Sequence, residues 1–527
     1  MKNILELNLG FSDAQNYTQR GNKQMFNEVF VKNAFLEKII TPSCYFIIGE
    51  KGTGKTAYAT FLNNNEYKNN ISNLKFILAT DYEKFHMLKK EKKLEVSSYG
   101  DIWKVILQLL LSNFVTDNRN VVMALRRSKI EEVMNAINEY YYNAFSPEIN
   151  TALKIFDKSE EVAKLMCKYA EVGGLNETSC EFSEAKFQMN LFYINKMFTD
   201  SLLNLKLNKN IILLIDGIDI RPNNIPYTEY LECIRGLSDA CWYLNTEIFQ
   251  NHKDTQGHFK IILLLRPDIF NSLNLQNSTN KILDNSAFLE WRTTYTEFHR
   301  SYLFSIAEKI LSYNNKGQIY SGLFWDYYFN WRIPTKRTDS GYDNAFVEFL
   351  RISLSRPRDI LVIMQLIQKK MNKDGLGELS NFDFSTYKSD EFQNSYSTYF
   401  LSSLKDYLSF YYSVDEFKHF IKFFDFFDES DFTFDEYQQK YDKFVDYILE
   451  NATEVPRFLD SEKEFLQLLY DSNIIAAIEN DHEGNNYYHF SYREKNEANI
   501  SPEVPFGKIY RYRFHYGLYK KAQWGRF

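Results

Sequence analysis

Gly49-Glu50-Lys51-Gly52-Thr53-Gly54-Lys55-Thr56 is the stretch of sequence on which the fold of this chain depends. It fits the pattern G-x-x-x-x-G-K-[ST] of a phosphate-binding loop (Walker A) at every position. An apolar, β-prone segment, 44–48, precedes it, and a segment that favours a helix, 57–62, follows it. Strand, glycine-rich turn and helix form the context in which such a loop binds phosphate. The alternative interpretation is a glycine-rich turn with a surface lysine.

The residue types in this loop predict a site for ATP and Mg²⁺. A Cβ at Gly52 or Gly54 would block the approach of backbone N–H groups to phosphate oxygens. Lys55 supplies a charge for the β- and γ-phosphates, and the Thr56 hydroxyl ligates Mg²⁺. The helix that follows directs the positive end of its dipole at the anion. The predicted nucleotide-binding residues are Gly49, Gly52, Thr53, Gly54, Lys55, Thr56 and Ala57.

Composition excludes several classes of protein. The sequence has 527 residues, which at about 150 residues per domain predicts three or four domains. Five cysteines without C-x-x-C spacing argue against a disulfide framework or a zinc site. The net charge of −7 provides no global attraction for nucleic acid. Because residues 1–6 lack a signal-peptide core and no apolar run approaches the roughly 18 residues that span a bilayer, we expect a cytoplasmic protein without a membrane anchor.

The segment 210–216 is an apolar strand that ends in a carboxylate, as a Walker B strand does. We expect Asp216 to order the Mg²⁺ ion opposite Lys55 and Thr56. Many hydrolytic relatives place a glutamate directly after this aspartate, but here the next residue is Gly217. Asp219 is the nearest carboxylate that could position water or act as a base. Alternatively, Asp219 caps the next turn or pairs with Arg221.

Two arginines are candidates for reading the γ-phosphate. Arg266 follows a fourth apolar strand at the end where open α/β sheets place ligand contacts. Its alternative role is a structural pair with Asp268. Arg356 precedes Pro357 at a predicted helix start and could reach the nucleotide from a lid, as could Arg358. The alternative is a surface loop with two arginines. With Lys55 and Asp219, Arg266 completes the predicted catalytic set, and Arg356 is added to the nucleotide-binding set.

The remaining periodicity predicts the domain organisation. Further strands are expected at 74–80 and 287–291, and a looser segment at 374–394 is expected to link domains. Two alternating segments near the C-terminus, 487–492 and 509–514, follow helices, which is the layout of a winged helix. The predicted parts are an N-terminal lead with the first half of the sheet (1–80), a helical insertion (81–205), the second half of the sheet (206–294), a helical lid (295–378) and a C-terminal winged-helix-like domain (395–527).

Three other segments have two interpretations each. The apolar residues between 26 and 35 either cover an adenine or pack in the core. The basic run 89–93 is a solvated helix end or a binding patch. The basic, aromatic tail 506–527 either binds nucleic acid or docks on the acidic region 415–441.

Six runs of sequence, in this order, resemble a family of bacterial P-loop ATPases related to the STAND and origin-recognition branches of the AAA+ group. They are 10–14, 49–56, 215–222, 265–270, 289–291 and 356–359. The resemblance covers about residues 10 to 365. It implies a sheet order of 5-1-4-3-2, a helical lid, and ATP-linked oligomerisation or control of a separate effector protein. Members of the wider group act as switches in phage defence, mobile elements or DNA transactions.

We therefore expect an α/β protein of the ASCE P-loop class that binds Mg-ATP and hydrolyses it slowly, because Gly217 departs from the pattern of fast hydrolases. A DNA-binding ATPase acting in replication, repair or mobile-element maintenance is the alternative. A metabolic kinase is a third possibility, but the lid and tail exceed what a small-molecule phosphotransferase needs.

Overall fold

The computed structural model describes residues 1–77, 98–142, 184–222, 224–318, 320–335, 341–480 and 486–518. The basic run 89–93 and the end of the tail beyond 518 lie outside these residues. Within them, no helix combines the length and apolar character that crossing a bilayer requires.

Helices and strands alternate along the first part of the described chain, and helices predominate later. The strands are β1 (Phe46–Ile48), β2 (Asn70–Phe76), β3 (Asn210–Asp216), β4 (Phe259–Leu265), β5 (Ser286–Phe288), β6 (Ile333–Pro334), β7 (Tyr342–Asp343), β8 (Asp431–Thr433), β9 (Ile475–Asn480), β10 (Asn486–Phe490) and β11 (Arg511–Phe514). The α-helices are α1 (Arg20–Val29), α2 (Ala34–Ile40), α3 (Lys55–Asn64), α4 (Tyr99–Asp117), α5 (Ile130–Tyr142), α6 (Glu184–Asn204), α7 (Tyr227–Tyr243), α8 (Pro267–Ser272), α9 (Ser278–Asn285), α10 (Tyr302–Asn314), α11 (Phe324–Tyr328), α12 (Ala345–Ile352), α13 (Pro357–Lys373), α14 (Phe384–Lys388), α15 (Asp390–Leu408), α16 (Val414–Lys422), α17 (Phe434–Asn451), α18 (Glu462–Asp471) and α19 (Ser491–Glu494).

Short 3₁₀ helices and one π-helical turn lie between these elements. The 3₁₀ helices are Ile4–Glu6, Ala14–Thr18, Arg119–Val121, Ala124–Lys129, Phe249–Asn251, Phe298–Arg300, Phe423–Phe426, Arg457–Leu459 and Tyr516–Leu518, and the π-helical turn is Leu244–Ile248.

The chain divides into two compact units. The sheet unit comprises Glu37–Ile48 and Leu62–Ala287, and the C-terminal unit comprises Met1–Leu36, Gly49–Phe61 and Phe288–Phe527. The boundaries predicted from sequence group the phosphate-binding loop with the sheet. In the structure, residues 49–61 belong to the C-terminal unit, because the loop takes its hydrogen-bond partners from residues after 290.

A five-stranded sheet in the order β2-β3-β4-β1-β5 forms the core of the sheet unit. The pairs β2–β3, β3–β4 and β4–β1 are parallel. Every residue of β4 is buried, as is every residue of β3 after Asn210. Continuous apolar runs are typical of parallel strands covered on both faces. The predicted parallel α/β sheet is therefore confirmed, and β3 has the predicted bounds.

Two strands begin earlier than predicted. β2 starts at Asn70 rather than at residue 74, because it pairs with β3 along its whole length, from Asn70 opposite Asn210 to Phe76 opposite Asp216. β5 covers Ser286–Phe288 rather than 287–291. The chain leaves the sheet after Phe288, and Trp291 donates its indole hydrogen to the carbonyl of Thr53.

Helices α4 to α6 make up the described part of the segment predicted as a helical insertion. α4 is apolar on almost every face, and its Trp103 donates to the carbonyl of Cys233 on α7 over 3.2 Å. Two 3₁₀ helices, Arg119–Val121 and Ala124–Lys129, precede α5, which begins at Ile130.

The segment predicted as an interdomain linker, 374–394, is instead part of a packed aromatic core, so that prediction is wrong. The ring of Phe382 stacks on Phe329, with centroids 4.4 Å apart, and its carbonyl accepts from Trp331 over 2.7 Å. Helix α14 follows, and α15 begins at Asp390. Aromatic packing of this kind needs partners distant in sequence, and local composition does not reveal it.

A second, antiparallel sheet in the order β10-β9-β11-β8 lies near the C-terminus. β10 ends at Phe490 and the chain turns into α19, so the strand predicted at 487–492 is shifted. β11 pairs with β8, and the guanidinium of Arg513 forms two hydrogen bonds to Asp431. For residues 506–518, the structure thus matches the alternative in which the basic tail docks on the acidic region.

His515 is buried between aromatic rings in the C-terminal unit. Its ring stacks on Phe400 and meets the edge of Phe490, both at 4.9 Å between centroids. Its Nδ1 accepts from the amide of Gly517 over 3.0 Å. Burial lowers the pKa of His515 to about 3.

We predict that His515 makes the protein less stable in mild acid. The unfolded chain binds a proton at this residue near pH 6.5, whereas the folded chain binds it only near pH 3. The free energy of unfolding should therefore fall by about 2 kcal/mol between pH 6.5 and pH 5. In urea denaturation, His515→Asn should lose that part of the pH dependence. His258→Asn, at an exposed histidine, should keep the wild-type slope, and equal slopes in all three proteins would contradict the prediction.

Candidate nucleotide-binding site

The phosphate-binding loop joins β1 to α3, and its glycines are required by its backbone. Gly52 and Gly54 have φ angles of +89° and +93°, in the left-handed region that glycine adopts without strain. A Cβ on Gly52 would lie 3.3 Å from the Cβ of Arg358. The loop also closes on itself, because the amide and the hydroxyl of Thr53 both donate to the carbonyl of Glu50. Its own residues therefore contribute to fixing the conformation of the loop.

Lys55, Thr56 and Ala57 form the first turn of α3. Lys55 is buried, and its ammonium group donates to the carbonyls of Gly49, at 2.8 Å, and Glu50, at 3.3 Å. The amides of a first helical turn have no partner within the helix, which makes this end of α3 suited to an anion. The predicted binding residues thus follow one another on one turn, with the lysine folded over the loop.

Donors from elsewhere in the C-terminal unit hold the other carbonyls of the loop. Arg356 Nη1 donates to the carbonyl of Lys51 over 2.6 Å, and Trp291 Nε1 donates to that of Thr53 over 2.8 Å. The amide of Arg358 donates to the carbonyl of Gly52 over 3.4 Å. Consecutive carbonyls of the loop are therefore all engaged by donors.

Arg356 is held rigidly where α13 begins. Its Nε and Nη2 each lie 2.9 Å from a carboxylate oxygen of Asp359, which also accepts from the hydroxyl of Tyr399 over 2.8 Å. Burial acts to lower the pKa of Arg356, but Asp359 outweighs it and raises the pKa above its ordinary value. Arg356 is thus a buried, permanently charged residue in contact with the loop, and not part of a surface loop. That Arg356 contacts the γ-phosphate of a bound nucleotide remains a prediction.

Residues 10–14, the first of the six runs that resemble the ATPase family, lie beside α13. Arg358 Nε donates to the carbonyl of Ser12 over 3.1 Å, and Gln365 donates to that of Gly10 over 2.7 Å. The apolar residues that follow pack in the core: the ring of Phe30 stacks on Phe61 of α3, with centroids 4.2 Å apart. Core packing thus accounts for Phe30, one of the residues for which an adenine contact was the alternative.

Two ion pairs tie the variable positions of the loop to the last part of the chain. Glu50 pairs with Lys495 at 2.7 Å, with side chains only 15% and 4% exposed. Lys51 pairs with Asp406 at 2.9 Å, with side chains 24% and 60% exposed. Sequence analysis missed both pairs, because the motif leaves positions 50 and 51 unspecified and no local pattern marks partners hundreds of residues away.

A small cavity lies beside the loop, lined by Glu50, Thr53, Trp291, Arg356 and Lys495 among others. Its volume is about 40 Å³, which is room for a few water molecules and far less than a nucleotide needs. The polar groups that line it are those that hold the loop, so this cavity belongs to the support of the site.

Asp216 is buried at the end of β3 in the sheet unit, where its Oδ1 accepts from the amide of Gly217 over 2.8 Å. Gly217 has a φ angle of +90°, and a Cβ there would lie 2.5 Å from the carbonyl oxygen of Ile77. The position after Asp216 therefore has no room for a glutamate. Asp219 lies in the turn that follows and is partly exposed.

Arg266 is fully buried at the end of β4 and forms two hydrogen bonds to Asp268, one of 3.0 Å from Nε. This is the structural pair given as the alternative to a sensor. The pair fixes the side chain at the carboxyl edge of the sheet. A role in reading phosphate stays a prediction.

No protein-family model, curated protein or solved structure matches the chain. The site is therefore interpreted from its own geometry. A loop with left-handed glycines, a buried lysine and a helix start can bind a phosphate group. A buried aspartate at a strand end can ligate a hard cation.

We predict that Gly217 cannot be replaced without loss of stability. In Gly217→Ala the new Cβ meets the carbonyl of Ile77, whereas in Gly317→Ala, at φ +86°, it meets open space. Gly317→Ala should cost about 1 kcal/mol for the left-handed backbone. Gly217→Ala should cost about 1–3 kcal/mol more, because the contact forces the backbone to move. Chemical denaturation of both variants measures the difference, and equal losses would contradict the account.

Proposed function

We propose that this protein is a P-loop ATPase of the ASCE class that acts as a nucleotide-dependent switch and hydrolyses ATP slowly. The observation that carries the proposal is the conformation of residues 49–56, in which the glycines, Lys55 and the start of α3 are arranged as a phosphate cradle. The parallel sheet supports it, because β1, β4 and β3 direct their carboxyl ends to one edge. The loop follows the first of these strands, and Asp216 ends the last.

The residues present fit Mg-ATP. In the proposed complex, the amides of the loop and Lys55 bind the phosphates, and Thr56 and Asp216 offer the hard oxygen ligands that Mg²⁺ prefers. Bound Mg²⁺ would neutralise charge on the β- and γ-phosphates. Arg266 is the proposed residue that responds to the γ-phosphate, and Arg356 is proposed to hold the nucleotide-binding loop through the carbonyl of Lys51.

Slow hydrolysis follows from the environment of Gly217. The usual glutamate after the Walker B aspartate has no room here, since the carbonyl of Ile77 occupies the space. Asp219 is the proposed substitute for positioning water. A long-lived ATP state suits a switch better than a motor, because the bound nucleotide then determines which conformation persists.

The switch is proposed to act through Glu50. Phosphate oxygens would compete for the ammonium group of Lys55 with the carbonyls of Gly49 and Glu50. The side chain of Glu50 is paired with Lys495, whose ammonium group also lies 3.4 Å from the carbonyl of Asp471 at the end of α18. Occupancy of the loop is thereby linked to the last domain, interpreted as winged-helix-like. Control of a partner protein or of oligomerisation is the proposed output, with phage defence as the setting that the family resemblance suggests.

We predict that Lys55→Ala weakens ATP binding at least about 100-fold, because several hydrogen bonds to a charged group are lost together. Titration calorimetry with a non-hydrolysable ATP analogue and Mg²⁺ measures this. Lys209→Ala removes an ammonium group that pairs with Glu66, and should leave affinity unchanged. Full affinity in Lys55→Ala would overturn the site. Release of phosphate to water, rather than its transfer to a small molecule, distinguishes the ATPase from a kinase.

We also predict that the two ion pairs of the loop differ in their contribution to the free energy of unfolding. Lys495→Met leaves Glu50 buried without its partner and should cost about 3–5 kcal/mol of stability. Asp406→Ala breaks an exposed pair and should cost at most about 1 kcal/mol. Chemical denaturation checks both values.

The charge exchange Glu50→Lys with Lys495→Glu tests the coupling to nucleotide. Analogue affinity, measured in the wild type, the two single variants and the double variant, should be non-additive, because the two residues form one pair. Additive effects on the dissociation constant would show that the pair supports the fold but does not couple to the nucleotide.

A further inference from the structure

A large groove lies in the C-terminal unit and shares Glu290, Arg292, Ser355 and Tyr492 with the lining of the small cavity beside the loop. It has a volume of about 1370 Å³, and its walls are formed by residues 290–301, by β10 and by the segment around α19. This volume exceeds the roughly 300–1,000 Å³ of typical small-molecule pockets. The groove therefore suits an extended ligand better than a single metabolite.

Tyrosines line the groove, and arginine holds two of them in place. Arg513, itself paired with Asp431, lies 4.8 Å from the ring centroid of Tyr488 and 5.5 Å from that of Tyr516. It also donates to both hydroxyls over 2.9 Å. These rings are fixed before any ligand arrives, which reduces the entropic cost of binding. Tyr487, next to them on β10, is 55% exposed.

A second group of lining residues repeats this combination of arginine and tyrosine. Arg493 lies 5.6 Å from the ring centroid of Tyr295 and 5.5 Å from that of Tyr492, and it donates to both hydroxyls. Arg351 approaches the same Tyr295 ring at 5.8 Å. Aromatic rings next to guanidinium groups thus occur at two places in the lining of the groove.

The groove is more basic than the chain as a whole. Four arginines and two glutamates contribute to its walls, whereas the chain carries a net charge of −7. Arg292 pairs with Glu290, and Arg351 pairs with Glu348. In the part of the chain that the structure describes, no carboxylate pairs with Arg300, which is exposed. The charge of Arg300 is available to an anionic ligand, whereas the guanidinium of Arg493 is engaged by the hydroxyls of Tyr492 and Tyr295.

We propose that this groove binds single-stranded nucleic acid. The exposed ring of Tyr487 offers a face on which a base stacks, and Arg300 offers a charge to the phosphates. Bases within a duplex are already stacked on each other, so their faces cannot reach Tyr487. An acidic peptide would use the arginines but leave the ring faces without a role. The ligand class is a single strand, and its binding does not require ATP.

Fluorescence anisotropy of the full-length protein with a labelled oligothymidylate of about 20 nucleotides, at about 50 mM NaCl, tests this proposal. Tyr487→Ala should weaken binding at least about fivefold, through loss of one stacking surface. Arg300→Glu should weaken binding at least about tenfold and reduce the salt slope by about 0.7. Lys55→Ala should leave oligonucleotide binding unchanged, which separates this proposal from the nucleotide site.

Matched variants serve as controls. Tyr342→Ala removes another exposed tyrosine of an antiparallel strand, and Arg126→Glu reverses another exposed arginine. Neither should change affinity, while the conservative changes Tyr487→Phe and Arg300→Lys should retain most of it. Four results would overturn the proposal: no binding at low salt, full affinity in Tyr487→Ala and Arg300→Glu, tighter binding of a duplex of equal length, or loss of binding only in a Lys520→Glu/Lys521→Glu variant of the tail.

Discussion

The carbonyl groups of the phosphate-binding loop are all engaged, and the direction of its amides follows from this constraint. Those of Gly49 and Glu50 accept from Lys55, and those of Lys51, Gly52 and Thr53 accept from residues 356, 358 and 291. In a trans peptide the N–H points opposite to the C=O, and the described chain contains no cis bond. The amides of Gly52 and Gly54 therefore point away from Arg356 and Trp291, which hold the carbonyls of the residues before them. Hydrogen bonds on this outer side hold the loop in place, which suits the proposed phosphate site because binding would then require little rearrangement.

The contacts on this outer side differ in energy. Some of them only hold the loop in place, whereas one is proposed to transmit a change in the loop to the rest of the C-terminal unit. Arg356 and Asp359 form a buried, doubly hydrogen-bonded pair that anchors the loop by its backbone. The pair of Glu50 with Lys495 is almost as buried, but Glu50 stands at a position where the G-x-x-x-x-G-K-[ST] motif accepts any residue. The exposed pair of Lys51 with Asp406 is weaker, because solvent screens it. Glu50 is thus the loop position at which a change can be transmitted at substantial energy without altering a residue that is proposed to bind phosphate.

Sequence predicted the elements whose signals are local and missed those that depend on distant partners. The strands β1, β3 and β4 were predictable because each is a continuous apolar run, and the loop because its motif is complete. The start of β2 at Asn70 was not, since its polar residues become a strand only through pairing with β3. The absence of a glutamate at 217 is visible in the sequence, but its cause, the carbonyl of Ile77, is visible only in the fold. The ion pairs of positions 50 and 51 have no sequence signal at all.

Helix α19 connects two surfaces that are far apart in sequence. Tyr492 and Arg493 line the large groove, where the carbonyl of Arg493 accepts from Arg292 over 2.8 Å. Lys495, two residues later, forms the buried pair with Glu50 of the loop. A displacement of this short helix would therefore alter the groove and the loop together. If ligands at the two places influence each other, linkage requires the effect to be reciprocal. Breaking the buried pair of Glu50 with Lys495 would cost about 3–5 kcal/mol, which sets the scale of the coupling that this contact can carry.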